Sequence, residues 1–231
     1  MFGMGCTRFG ALEWAAFAKQ EICMTRRVAA ALLALGATSI IAPASAQVSA
    51  DPTAAPAGTY KLETAHSQLL FSVLHLGLTD YFGRFDRLSG TLHFDAVHPE
   101  QSSVEVTVDP ASVDTQSAEL NNDLSGPEVF DTQKFPVATF RSTAIARTGP
   151  SSGLISGDLT LRGVTRKVTL AATFSGGAPD PLNDGYALGF KATGKIKRSE
   201  FGITGMRWEP MVGDDVTLII DAMFDQQDTQ R

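Results

Sequence analysis

The chain has 231 residues, 43% of them hydrophobic and 19% charged, and a formal net charge of −6. So acidic a chain is a poor partner for nucleic acid, whose phosphates demand clustered Lys and Arg. Its two cysteines, Cys6 and Cys23, precede the stretch that reads as the folded domain, which leaves that domain without a disulfide framework, a thiolate metal site or a thiol nucleophile.

In chain order, the first signal starts at Met24 with MTRRVAAALLALGATSIIAPASAQ. Arg26 and Arg27 precede an apolar run from Val28 to Leu35, continued to Ile41, and then Ala44-Ser45-Ala46. This is the order of a secretory signal, with cleavage expected after Ala46. The apolar run is too short and weakly flanked for a good membrane anchor, and no Phe-Leu-Lys follows the arginines to favour twin-arginine export. Residues 1–23 read as a start-site extension, so residues 1–46 are expected to be absent from the mature protein. Without them Lys+Arg fall from 19 to 15 and Asp+Glu from 25 to 23, a net charge of −8. What remains is long enough to bury a single core.

Residues 47–58, QVSADPTAAPAG, lack large apolar side chains and read as a flexible linker. Beyond Gly58 the hydrophobic period is two. Val104, Val106 and Val108 alternate with Glu105 and Thr107; Leu159 and Leu161 with Thr160 and Arg162; Val168, Leu170, Ala172 and Phe174 with Thr169, Ala171 and Thr173. Leu188, Phe190, Ala192, Gly194 and Ile196 share one face, as do Val216, Leu218, Ile220, Ala222 and Phe224. One apolar and one polar face per strand is the pattern of antiparallel sheets wet on one side. Turn residues separate the runs at 80–83, 98–99, 148–153, 176–181 and 211–214. The stretch 112–130 breaks the period and predicts a single short helix, with Ser112 or Asp114 as N-cap, Leu120 and Leu124 on one face, and Gly126-Pro127 as the stop.

Many short antiparallel strands with one helix predict an all-β sandwich or closed barrel, and closure removes exposed sheet edges. The inward stripes mix bulky and small residues, as in Phe190, Ala192 and Gly194. In a barrel of about eight strands this suits either a ligand cavity or a tapered, packed core, and the pattern alone leaves both open.

Several blocks occur in a telling order: His66-Ser67, Phe71 with His75-Leu76-Gly77, Gly83-Arg84-Phe85, Phe135-Pro136 with Phe140 to Thr143, Gly157 to Thr165, and Arg198 to Ile203. Together they resemble the YceI-like family of exported polyisoprenoid-binding proteins over about residues 59–225. The resemblance implies a lipocalin-like, closed antiparallel barrel over residues 59–226, followed by a tail at 227–231. It also implies an enclosed polyprenyl or isoprenoid-quinone chain, a periplasmic location, and transient contact with the inner membrane or a membrane redox protein. No catalytic residue, metal or cofactor is expected. The chain departs from many relatives at Asn121 to Ser125, which lack the Arg and His found there, and at Tyr60, where Trp is common.

Candidate ligand-lining residues are Phe71, Val73, Phe85, Phe94, Phe140, Leu161, Leu170, Phe190, Ile196, Phe201, Ile203 and Leu218. His66, His75, His93 and His98 lack metal-ligand spacing; His75 and His93 are candidates for cross-strand neighbours. His66-Ser67 makes a poor nucleophile pair, because successive strand residues face opposite ways. The hairpin LTLRGVTRKVTL, residues 159–170, carries Arg162, Arg166 and Lys167 at its tip. Those cations are either a solvated hairpin end or a site for a pyrophosphate head group. The rival to a carrier is a packed interaction barrel serving a membrane redox partner; an isoprenoid or ester hydrolase ranks lower.

Overall fold

Period-two patterning becomes strand almost everywhere in the structure, a computed structural model that describes residues 47–181 and 185–227. The expected extension 1–23, the signal segment 24–46 and the tail beyond Gln227 lie outside the described residues. The strands are β1 (Gly58–His75), β2 (Thr79–Phe85), β3 (Leu88–Phe94), β4 (Ser103–Val108) and β5 (Val113–Asp114). Then follow α1 (Ala118–Ser125), β6 (Ala138–Arg147), β7 (Ser152–Leu161), β8 (Val164–Pro179), β9 (Tyr186–Lys197) and β10 (Val212–Gln226).

All pairings are antiparallel, in the order β10-β9-β8-β7-β6-β4-β3-β1, and β10 pairs with β1 to close an eight-stranded barrel. The two remaining strands extend the wall. β2 and β3 together run antiparallel to β1, β3 beside its first residues (Gly58↔Phe94) and β2 beside its last (His75↔Thr79). β5 continues the line of β4 by pairing with β2.

β1 owes its reach to a bulge. Tyr60 and Leu62 point inward at even positions, whereas Leu69, Phe71 and Val73 line the interior at odd ones. The register against β10 shifts between Glu63 and Gln68, and these extra residues flip the face. The Glu63 carboxylate secures the bulge by accepting from the backbone N–H groups of Ala65 and His66, both at 2.8 Å.

The helix is shorter than the sequence predicts, and Ser117 caps it by accepting from the Leu120 N–H. Neither expected cap serves. Ser112 accepts from the Arg87 N–H, and Asp114 sits in β5 against Arg84. Pairing with β2 holds 113–114 extended, and Gln116 at φ 63 then turns the chain before a helix can begin.

The segment expected as a linker is held to the barrel. Ser49 forms a bridge with Gly177, Ala55 is buried, and the Tyr60 hydroxyl donates to the Pro56 carbonyl at 2.7 Å. Tyr60 is fully buried, and that burial pushes its phenol up to about 12.

Candidate functional site

The apolar faces of the strands converge inside the barrel without filling it. Phe71, Phe85, Phe140, Leu159, Leu161, Leu218 and Ile220 are only partly buried although they point inward, and the surface they keep faces internal space. Two cavities result. The larger, about 250 Å³, reaches the end of the barrel where the β3–β4 loop and the β6–β7 hairpin meet. The smaller, about 160 Å³, lies toward the opposite end, under α1 and the 198–211 loop. Interior space on this scale sets the protein apart from a tightly packed barrel, whose voids seldom exceed a water molecule.

An aromatic cluster walls the larger cavity. Phe190 lies 5.4 Å from Phe174, 6.1 Å from Phe94 and 6.1 Å from Phe224, mostly edge to face. Asp95, Ser102, Arg147, Ser151 and Ser152 supply polar groups at the rim of this cavity. Among the described residues Arg198 is the only charged one lining the smaller cavity, and its guanidinium is turned to the backbone. It donates to the carbonyls of Gly213, Ile203 and Val212 at 3.0, 2.8 and 3.3 Å, and pairs with Glu209 at 3.2 Å.

Of the candidate lining residues, Phe94, Phe140, Leu170 and Phe190 line the larger cavity. Phe71, Val73, Phe85, Leu161, Ile196 and Ile203 line the smaller, and Leu218 lines both. Phe201 lines neither: it belongs to the 198–211 loop and its side chain is wholly buried in the core. Sequence reasoning passed over Leu69, Val108, Ala138 and Trp208, which also face the interior. Val108 belonged to an inward stripe already recognised; for Leu69 the clue was the switch of apolar parity along β1.

The basic hairpin tip is a tie. Arg162 donates from Nη1 to the Gly202 carbonyl and from Nη2 to the Pro127 carbonyl, each at 2.7 Å. Lys167 pairs with Asp158 at 2.8 Å, and Arg166 donates to the carbonyl of its neighbour Thr165. The histidines are dispersed. His75 pairs with Thr79 and Val212 at one end of the barrel, and His93 bonds Thr59 Oγ1 at 3.0 Å at the other, so the two are not neighbours. Ser67 exchanges hydrogen bonds with the backbone of Met223, while the exposed His66 ring turns to Glu63. That geometry separates the imidazole from the hydroxyl.

The sequence that builds this eight-stranded barrel with its two apolar cavities matches the family model of the YceI-like domain over residues 60–224. The chain belongs to the YceI-like family. A UPF0312 protein of Ectopseudomonas mendocina is 41% identical over 139 residues, 60% of this chain and 72% of that one. The crystal structure of Burkholderia cenocepacia BcnA superposes with a TM-score of 0.63 at 27% identity, over 70% of this chain and 98% of the other. A polyisoprenoid binding domain from Saccharophagus degradans shares the fold at a TM-score of 0.53 and 17% identity, covering 73% and 98%. In this YceI-like chain the divergent helix has its own bonding. Asn121 Oδ1 accepts from the Thr115 N–H and hydroxyl at 2.8 and 2.7 Å, and Asp123 pairs with Arg207 at 3.3 Å.

Proposed function

We propose that the protein binds a polyisoprenoid or isoprenoid-quinone chain inside its barrel and carries or stores it in the periplasm, without chemistry on the ligand. One observation carries this reading: two apolar cavities lie end to end along the barrel and adjoin at shared residues. That shape suits a long, thin, apolar molecule better than a compact one. Each methylene enclosed contributes about 0.8 kcal/mol, so a branched hydrocarbon chain gains affinity along its whole length. Membership of the YceI-like family and a fold shared with a domain described as polyisoprenoid-binding support the same ligand class.

The head group is assigned to the rim of the larger cavity, where Asp95, Ser102, Arg147, Ser151 and Ser152 lie, and the tail to the smaller; Arg147, like Arg198, turns its own donors to backbone carbonyls. A chain so insoluble must be taken up at a membrane, so transient contact with the inner membrane belongs to the reading. The ligand is cargo, and no cofactor is proposed.

The test is lipid extraction and mass spectrometry on protein purified from its own periplasm, followed by addition of solanesol to the delipidated protein. Recovery of an isoprenoid, or stoichiometric uptake of solanesol, is expected. Protein that arrives empty and takes up none would defeat the proposal.

A further inference from the structure

The two cavities are divided at mid-barrel, and the residues common to both are Leu69, Val108, Ala138, Leu159 and Leu218. Their strands form two arcs. Leu69 and Leu218 lie on adjacent β1 and β10, while Val108, Ala138 and Leu159 lie on the run β4-β6-β7. In the closed order these arcs are separated by β3 on one side and by β8 and β9 on the other, so they face each other across the lumen. Val108 and Ala138 are direct cross-strand partners, and Leu159 pairs with Phe140, two residues along from Ala138. Four of the neck residues are branched and project into the passage. Ala138 offers a single methyl, and β6 begins at this residue.

We infer that this neck determines how long a chain the barrel accepts, and that Ala138 is its specificity-determining residue. A short chain needs only one cavity. A long one must pass between the arcs, which requires Leu69, Leu159 and Leu218 to change rotamer; the small Ala138 side chain leaves room for that. Leucine at 138 would place three more carbons in the lumen opposite Leu69 and Leu218. The Ala138 methyl is itself covered, only 5% exposed, so the added carbons push against its neighbours; these can yield because void lies on either side, unlike in a filled core, where added bulk forces strain. The inference rests on the carrier reading above.

The experiment compares the affinities of farnesol (three isoprene units) and solanesol (nine) for the wild-type protein and the Ala138→Leu and Ala138→Val variants. Binding is read by native mass spectrometry, with circular dichroism melts as the check on folding. Every methylene kept out of the barrel weakens binding about fourfold. Solanesol should therefore bind Ala138→Leu at least about tenfold more weakly than wild type, with Ala138→Val between them, while farnesol stays within about threefold. Unchanged solanesol affinity in a folded variant would overturn the inference. So would equal loss of both alcohols, because the residue would then serve the barrel rather than the passage. A wild-type protein that binds neither alcohol would defeat the carrier reading itself, a result distinct from either.

Discussion

Arg162 and Gly202, 40 residues apart in the chain, are joined at 2.7 Å where Nη1 of the arginine donates to the glycine carbonyl. The other guanidinium nitrogen, Nη2, takes the Pro127 carbonyl. One side chain on the β7–β8 hairpin thus clasps both segments that cover the smaller cavity, the loop after α1 and the 198–211 loop. Removing it with Arg162→Ala should cost about 1.5–3 kcal/mol in urea unfolding, the range for hydrogen bonds made by a charged group. Arg162→Lys should recover at most part of that, having no fork to span two carbonyls. Because these donors are engaged, the affinity of the Arg162/Arg166/Lys167→Ala variant for a polyprenyl pyrophosphate should match wild type at concentrations where both are folded.

Phe190 stands between three other phenylalanine rings on the wall of the larger cavity. Phe190→Ala should destabilise the protein toward the lower end of the roughly 3–5 kcal/mol typical of such truncations, because one side of the ring already faces void. Calorimetry would show the loss.

Tyr60 ties the lead-in segment to the barrel through its hydroxyl and Pro56. Tyr60→Phe keeps the ring and removes the bond, leaving the Pro56 carbonyl short of a partner. The expected cost is about 1 kcal/mol. Faster proteolysis at residues 47–57 is the sharper readout, since the segment has few other anchors.

Glu209 holds the 198–211 loop by accepting from the Gly205 N–H and pairing with Arg198. The Gly205 N–H first, and then Arg198, hold its carboxyl below the ordinary value. A carboxylate lowered in the folded state stabilises above its unfolded pKa of about 4.3, and the contribution disappears as pH falls through the lower folded value. Hydrogen exchange across 198–211 should therefore accelerate below about pH 4 in wild type. In Glu209→Gln it should be fast already at neutral pH, with a weaker acid dependence. A loop equally protected in both proteins at neutral pH would refute this role.

The fold was legible in the sequence because the strand signal is local. Side chains alternate faces along a strand, so the stripes Val216 to Phe224 and Leu188 to Ile196 identified themselves, as did the inward position of Leu170. The helix boundaries were less legible: Ser112 and Asp114 are good caps in isolation, and a long-range pairing with β2 took them for strand and turn instead. The burial of Phe201 likewise depends on its own loop packing back onto the barrel, which no local pattern encodes.

Alternation along each strand, read from the sequence by itself, determined an all-β antiparallel chain whose apolar stripes, such as Val216 to Phe224, face inward. It did not determine whether those side chains meet. Whether the interior is filled depends on the barrel's radius and on bulges such as that at Glu63, which place residues from distant strands at one height. Tertiary structure decided that Leu69 and Leu218 face Val108, Ala138 and Leu159 across a lumen with a cavity on either side. It also decided that Arg162, one of 19 Lys and Arg residues in an acidic chain, finds two carbonyls 35 and 40 residues away. Distances of that kind follow from closure of the sheet, a property of the whole chain that no single segment carries.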